Sequence, residues 1–315
     1  MTEFKNKIDF AVLFTVEKAN PNGDPLNGNC PRTDNDGYGE MSDVCIKRKI
    51  RNRLQDMGEK IFVQSQERAD DGKHSLSERA DANPELLKHK KNKDKDAYVK
   101  TACESWIDVR SFGQVFAFKN KKENEDGVSI GVRGPVTVRT AVSISPIDVS
   151  MMQITKSVNG KPSKEKGSDT MAIKERVEFG LYKFCGSINH HFAEKNGFSE
   201  EDAEKIKEAL KTLFVNDASA ARPDGSMEVK KVYWWKHNCE IGQYSSAEVH
   251  RSLHVELLPN VDIPKKYEDY KITLDNLEGL DVEEIEGRSV KQKSIKTYKK
   301  KTNLKTSLNN LEKIE

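Results

Sequence analysis

Ile8-Asp9-Phe10-Ala11-Val12-Leu13-Phe14-Thr15-Val16-Glu17 is followed by a turn-rich Asn20-Pro21-Asn22-Gly23-Asp24-Pro25 stretch and then by Ser42-Asp43-Val44-Cys45-Ile46-Lys47-Arg48-Lys49-Ile50-Arg51. The first block has period two. Ile8, Phe10, Val12, Phe14 and Val16 share one face, and the other face is polar only at its ends, which predicts a mostly buried strand. Pro21, Gly23, Pro25, Gly28, Pro31, Gly37 and Gly39 alternate fixed and permissive backbone, so the connection reads as an irregular surface loop whose amides approach a ligand closely. Ser42 as N-cap, Asp43 in the first turn and Gly58 as a left-handed stop predict a helix from Asp43 to Met57. Ile46, Ile50, Leu54 and Met57 form its apolar arc. Lys47, Arg48 and Arg51 lie on one shoulder of that arc and Lys49 and Arg53 on the other, an arrangement that aims cations at a polyanion. The same pattern also describes an ordinary solvated basic face. Strand, loop and helix together open an α+β sheet.

Working outward, 315 residues can bury a substantial core as two domains or as one with large insertions. Hydrophobic residues make up 35% and charged residues 33%, which implies much exposed surface or polar partners that cover it. The net charge of +2 gives no whole-protein field, so any polyanion binding must come from local clusters. Five cysteines without a CxxC pair fit reduced thiols in the cytoplasm. The N-terminus lacks the apolar run of a signal peptide, and no stretch is long and apolar enough for a membrane span.

Residues 59–105 are charge-dense with patches of helical spacing and read as a partly mobile insertion with a weak core. Trp106 to Gly113, Val115 to Phe118 and Val128 to Ile144 read as sheet strands, with Val136, Val138, Val142 and Ile144 on one face. Asn159-Gly160 is a two-residue hairpin signal within a polar 147–173 stretch made basic by Lys156, Lys161, Lys164, Lys166 and Lys174, with Met151, Met152 and Met171 toward its base. An ordinary loop is the alternative there. Glu178 to Ile188 and Val229 to Trp235 read as strands and Ser199 to Phe214 as a capped helix. Lys291 to Lys305 holds seven lysines in fifteen residues, a basic tail.

Sites of chemistry are sparse. His237, Cys239, His250 and His254 lack the second half of a zinc pattern, and Asp34-Asn35-Asp36-Gly37 is out of register with a calcium loop. Gly131-Val132-Arg133-Gly134 is too short to imply a nucleic-acid domain, and there is no P-loop and no GxSxG. Trp106, Trp234 and Trp235 read as core rather than stacking platforms. A binding protein is favoured over an enzyme, with no cofactor and no metal.

The opening blocks, together with Pro31-Arg32, Asp108-Val109-Arg110-Ser111-Phe112-Gly113, Arg133-Gly134-Pro135-Val136 and Tyr182-Lys183-Phe184-Cys185-Gly186, resemble the backbone subunit of the type I-C CRISPR surveillance complex, Cascade. The resemblance covers roughly residues 5–260. It implies an α+β fold: a modified RNA-recognition, ferredoxin-like palm over 1–57 and 106–290, a helical finger insertion over 58–105 and a projecting thumb β-hairpin over 148–174; the basic tail over 291–315, expected to be flexible from its composition, lies outside it. It further implies a subunit that polymerises as a helical filament along CRISPR RNA and presents the guide to target DNA. The implied partners are other copies of itself, a guide-processing subunit and a large subunit.

With that resemblance, Lys47, Arg48 and Arg51 are expected to hold guide phosphates, and Asn20, Asn22 and Arg32 to add donors from the loop. Met151, Met152, Lys156 and Lys161 are the expected thumb contacts. Arg110, Arg133 and Arg139 are weaker candidates, because a strand arginine is as often a cross-strand salt-bridge partner. A second reading is a metal-dependent RNA nuclease like the backbone subunits of type III complexes, with Asp24 or Asp34 as its loop aspartate. A lone RNA-recognition protein is disfavoured, since no aromatic cluster of the kind such domains stack on bases is present.

Overall fold

The computed structural model describes residues 2–117, 129–155 and 171–287. A strand apolar on both faces has to be covered on both sides, and β1 (Ile8–Ala19) lies inside the sheet accordingly. The chain continues through β2 (Gly23–Asp24), β3 (Cys30–Pro31) and β4 (Tyr38–Met41) into α1 (Asp43–Asp56). Ser42 caps α1 by accepting a hydrogen bond from the Cys45 amide at 3.2 Å. Ile46, Ile50 and Leu54 are buried and Met57 packs beside them, as the spacing predicts.

Helices α2 (Leu76–Asp81), α3 (Pro84–Asn92), α4 (Lys95–Ser105) and α5 (Ile107–Phe112) lead into the hairpin of β5 (Gly113–Ala117) and β6 (Ser129–Arg133). Phe62, Leu86, Tyr98, Trp106, Phe116, Ile130 and Val132 give this region a core of its own. It is firmer than charge density suggested, because the lysines lie on outer faces while aromatic pairs such as Phe62–Trp106, 4.7 Å between centroids, fill the inside. The cluster also draws on residues beyond 105. Trp106 to Phe112, expected as strand, is the cap and body of α5. The buried Asp108 carboxylate on that helix accepts the Phe62 and Val63 amides at 2.7 and 3.0 Å, a tertiary tie that local spacing does not reveal. Gly113 has φ +78°, and a side chain there would strike the Val132 carbonyl, while one at Gly134 would strike that of Ser111. Two blocks that carried the resemblance therefore meet in space.

Next come β7 (Val136–Val138), β8 (Ala141–Pro146), β9 (Val149–Thr155), β10 (Met171–Ile188), α6 (His190–Asn196) and α7 (Glu200–Lys211). The chain then forms β11 (Met227–Lys236), α8 (Ser246–Arg251), the hairpin β12 (Leu253–Leu257) and β13 (Tyr270–Leu274), and β14 (Val282–Glu286). The main sheet is antiparallel in the order β14-β11-β1-β10-β8-β4, and β7 and β9 pair with opposite ends of β10. Phe14 faces Tyr182 across the β1–β10 ladder and Val12 faces Val232 across the β1–β11 ladder. Ile206, Leu210 and Leu213 join α1 in covering one face; α8 and the β12–β13 hairpin cover the other through Val249, Leu253 and Tyr270. Trp234 and Trp235 fall in opposite cores, as alternation along a strand requires.

The expected single face for Val136, Val138, Val142 and Ile144 is not what forms. Pairing breaks at Arg139-Thr140, so Ala141 and Ser143 turn inward and Val142 reaches the surface. Edge strand β14 carries three carboxylates, all paired: Glu283 with Lys207 at 2.9 Å, and Glu284 and Glu286 with Lys231 at 2.7 and 3.8 Å. Among the described residues no helix is long and apolar enough to cross a membrane.

Asp9 sits fully buried on β1, where an unpaired carboxylate would be prohibitive. Lys7 at 3.0 Å, His237 Nε2 at 2.9 Å and His250 Nε2 at 3.5 Å surround it. Two histidines weighed as metal ligands thus serve this ionic network, and among the described residues no three such side chains are placed to hold a metal ion. Burial pushes His250 below its ordinary 6.5, against the opposing charge of Asp9. Burial alone would raise Asp9, but hydrogen bonds from His237, Ser246 and Lys7 and the Lys7 charge outweigh it and hold the carboxyl below 3.8.

The unfolded chain therefore protonates His250 before the folded one does. Stability from this network is complete above pH 6.5, falls as pH drops from there toward the folded histidine's value, and falls again below 3.8 as Asp9 protonates. Melting curves at about pH 7.5 and about pH 5.5 should show the first loss, and His250→Gln should flatten it. Equal slopes in both proteins would remove His250 from this account.

Candidate nucleic-acid interface

The loop after β1 is held by its own polar residues. Asn20 donates its side-chain amide to the Asn29 carbonyl at 2.6 Å, and Asn22 Oδ1 accepts the Ser42 amide at 2.9 Å, fixing the loop to the start of α1. Asp24 accepts the Leu26 amide at 3.2 Å and an Arg32 guanidinium N–H at 3.3 Å. Gly28 and Asn29 take left-handed backbone, φ +58° and +64°, to close the turn. Of the asparagines expected as ligand donors, Asn20 thus spends its side-chain N–H inside the loop, while Asn22 spends its side-chain carbonyl oxygen on the start of α1.

Two further elements converge here. From the segment before β11, Arg222 reaches the Asn20 carbonyl at 3.5 Å and stands 3.6 Å from Asp217, which also pairs with the buried Lys49 of α1. From the base of the β9–β10 hairpin, Lys174 donates to the Ala220 carbonyl at 2.8 Å. Burial raises the Cys45 thiol against the charges of Lys49, Arg222 and Arg32, with the Asp217 charge adding to the rise. Cys30 is pushed up to about 11 by burial, a hydrogen bond with Glu175 and the Glu175 and Asp24 charges.

Asn20 Oδ1, Arg32 Nε, Glu175 Oε2 and Arg222 Nε are buried without a hydrogen-bond partner. Each such group costs about 1–3 kcal/mol. They are four of the seven of their kind among the described residues, which singles out this junction as a place for a polar ligand that both donates and accepts. Sequence reasoning found Asn20 and Arg32, and named Lys49 and Lys174 only as cations of the helix shoulder and the hairpin, but missed Asp217 and Arg222. The Ala221-Arg222-Pro223-Asp224-Gly225 turn was the available signal for the last.

The cations of α1 mostly point into the fold, which corrects the expectation of charged shoulders. Arg48 donates to the Val63 carbonyl at 2.5 Å, and burial and the Arg51 charge lower its pKa. Arg51 lies 3.0 Å from buried Asp108 and 5.0 Å over the Phe112 ring, while Arg53 donates to Thr212 Oγ1 at 2.7 Å. Lys47 stays on the partly open surface, 3.0 Å from Asp43. Helical spacing identified the shoulder but not the partners that later chain brings to it.

Arg110 is on a helix, not a strand, and forks onto Asp202 at 2.8 and 2.7 Å. Arg133 is exposed at the end of β6. Both line a separate cleft of about 830 Å³ between α4, β6 and α6, with Lys100, Glu194 and Lys195. Arg139, the third weaker candidate, is exposed just before β8. Met151 and Met152 lie exposed on the hairpin arm that leaves the sheet beside the 20–32 loop. Lys156, Lys161 and Asn159-Gly160 lie outside the described residues, as does the basic tail. Asp24 is engaged as above, and Asp34 Oδ1 accepts the Asp36 and Tyr38 amides at 3.0 and 2.8 Å.

Residues 6–275 match the sequence model of the family described as CRISPR-associated protein Cas7, and the chain belongs to that family. A relative from Haloferax volcanii, described as CRISPR-associated protein Cas7, is 25% identical over 218 residues, 64% of this chain and 62% of the relative. The match thus spans less than two thirds of that relative's length. A solved "CRISPR RNA-guided surveillance complex, pre-nicking" is similar with TM-score 0.45 and 15% identity over 76% of this chain and 81% of that one. A second, "CRISPR RNA-guided surveillance complex", gives TM-score 0.43 and 16% identity over 73% and 68%. Family membership rests on the sequence match alone.

Arg51→Ala strands the buried Asp108 carboxylate, and urea unfolding should show a loss of about 3 kcal/mol. Lys47→Ala, whose partner is solvent-exposed, should shift the same midpoint by less than about 0.5 kcal/mol. An unchanged midpoint in Arg51→Ala would show that Asp108 needs only its two backbone donors.

Proposed function

We propose that this chain is the guide-RNA-binding backbone subunit of a type I-C CRISPR surveillance complex, polymerising along the guide and presenting it for pairing with target DNA. The observation that carries the reading is the junction of the 20–32 loop, the start of α1, the Arg222 turn and the hairpin base, with its four unpartnered buried polar atoms. Phosphate oxygens would accept from Arg32 and Arg222, and ribose hydroxyls would donate to Asn20 and Glu175. Lys47 and Lys174 add charge at the rim. Met151 and Met152 supply soft apolar surface for bases, and Lys156 and Lys161 extend the hairpin contact. Arg48 and Arg51 serve by holding α1 to the helical insertion, Asn22 by tying the loop to the cap of α1, and Arg110 by fixing α5 to α7; Arg133 faces the separate cleft.

The four-strand order β11-β1-β10-β8, with α1 and α7 connecting on one face, supports a ferredoxin-like palm. Recognition is independent of guide sequence, because pairing rather than protein reads bases. The residues give no acid/base or nucleophile constellation a role, so maturation of the guide and cutting of the target fall to partner subunits. The nuclease reading gains no support from Asp24, whose carboxylate is already shared between Arg32 and the Leu26 amide.

Affinity for labelled single-stranded guide RNA should fall steeply between about 50 and 500 mM salt. Arg32→Ala with Arg222→Ala should weaken binding by about tenfold or more and flatten the salt slope by about 1.4. An unchanged slope with an unchanged melting curve would remove the junction from the RNA site. Magnesium-dependent cleavage of guide-paired RNA, lost on Asp24→Ala, would overturn the reading in favour of a nuclease.

A further inference from the structure

Exposed apolar side chains at Leu26, Val115, Ile241 and Ile263 are scattered, whereas Met151, Met152, Ile154, Met171 and Ile173 gather on one hairpin. Register sorts them. Met151 faces Glu175, Gln153 faces Ile173 and Thr155 faces Met171, so Met151, Ile173 and Met171 run along one face; Met152 and Ile154 take the other. Met151 is 70%, Met171 60% and Met152 45% exposed. Met41 and Met227 are buried, and Met57 packs against the main core. Well-exposed thioethers among the described residues are therefore confined to the β9 and β10 arms.

We propose that Met151, Met152 and Met171 form an oxidant-sensitive modification site, each taking one oxygen from a peroxide, and that the sulfoxides weaken the hairpin's hold on nucleic acid without unfolding the chain. The first half stands on exposure alone; the second rests on the RNA-binding reading above. The thioether lone pair attacks one peroxide oxygen, the S–O bond forms as the O–O bond breaks, and the departing hydroxide takes the proton of the transferred oxygen to become water. Sulfur is oxidised by two electrons and the peroxide is reduced by two. The reaction asks only for access, which the arms give and the cores deny. A sulfoxide replaces a flexible apolar surface with a polar one, so base contact suffers, while the arms lie outside the packed cores and the fold does not depend on these side chains.

The test uses the full chain carrying Cys239→Ser, since Cys239 is an exposed thiol that peroxide also attacks. After hydrogen peroxide treatment, peptide mass spectrometry should find added oxygen at Met151, Met152 and Met171 well ahead of Met41 and Met227. Melting should stay unchanged, and affinity for labelled single-stranded RNA should fall about tenfold. The triple variant Met151→Leu, Met152→Leu, Met171→Leu, measured against its own untreated affinity, should show no change after peroxide. Equal oxidation of Met41 and Met227 would overturn the site. Full oxidation of the three with unchanged affinity, or peroxide sensitivity surviving in the leucine variant, would overturn its effect. Failure of the untreated chain to bind RNA would instead sink the functional reading and leave the mass spectrum to decide the site.

Discussion

One strand governs the molecule. β10 runs eighteen residues, from Met171 on the exposed arm to Ile188 in the core, and every hydrogen-bonded partner along it sets the position of something else. Its inner half fixes β1, β7 and β8; its outer half carries β9. The hairpin is a direct continuation of the sheet and not an appendage on a hinge, so its orientation is set by the β1–β10 register. A slip of one residue in that ladder would turn Phe14 and Tyr182 from the core and swap the two faces of the projecting arms together.

Around this strand, charge is used chiefly to hold the fold. Lys49, Arg51, Arg53, Arg79 and Arg110 are all partnered inside, and each joins pieces distant in sequence. Arg51 and Arg110 secure opposite sides of α5, one from α1 through Asp108 and one from α7 through Asp202. Removing either arginine leaves a nearly or fully buried carboxylate exposed to its own desolvation cost, so both act as clamps. The positive charge that α1 and α5 leave free at the surface is therefore smaller than their residue count suggests.

That difference marks how far the sequence could be read. β1, α1 and α7 were legible because their patterns and caps are local: the alternation of Ile8 to Val16, the Ser42 cap, and the Ser199 cap with acid in the first turn. α5 was not, because Asp108 finds its partners at Phe62 and Val63, and no local pattern at 106–113 reports them. The break at Arg139-Thr140 was missed for a similar reason, since alternation carries no marker for a residue that interrupts pairing. In the site, Asn20 and Arg32 were visible from turn chemistry, whereas Arg222 acquires meaning only when β11 lies beside β1 and brings its preceding turn to the loop.

Edge strand β14 has one more consequence. An antiparallel edge is a template for another strand. Glu283, Glu284 and Glu286 place three carboxylates in five residues there. Two such edges brought together would set like charges across the ladder, a destabilising arrangement that discourages side-by-side sheet growth. The acidic rim thus works as a guard against amorphous association through this end of the sheet.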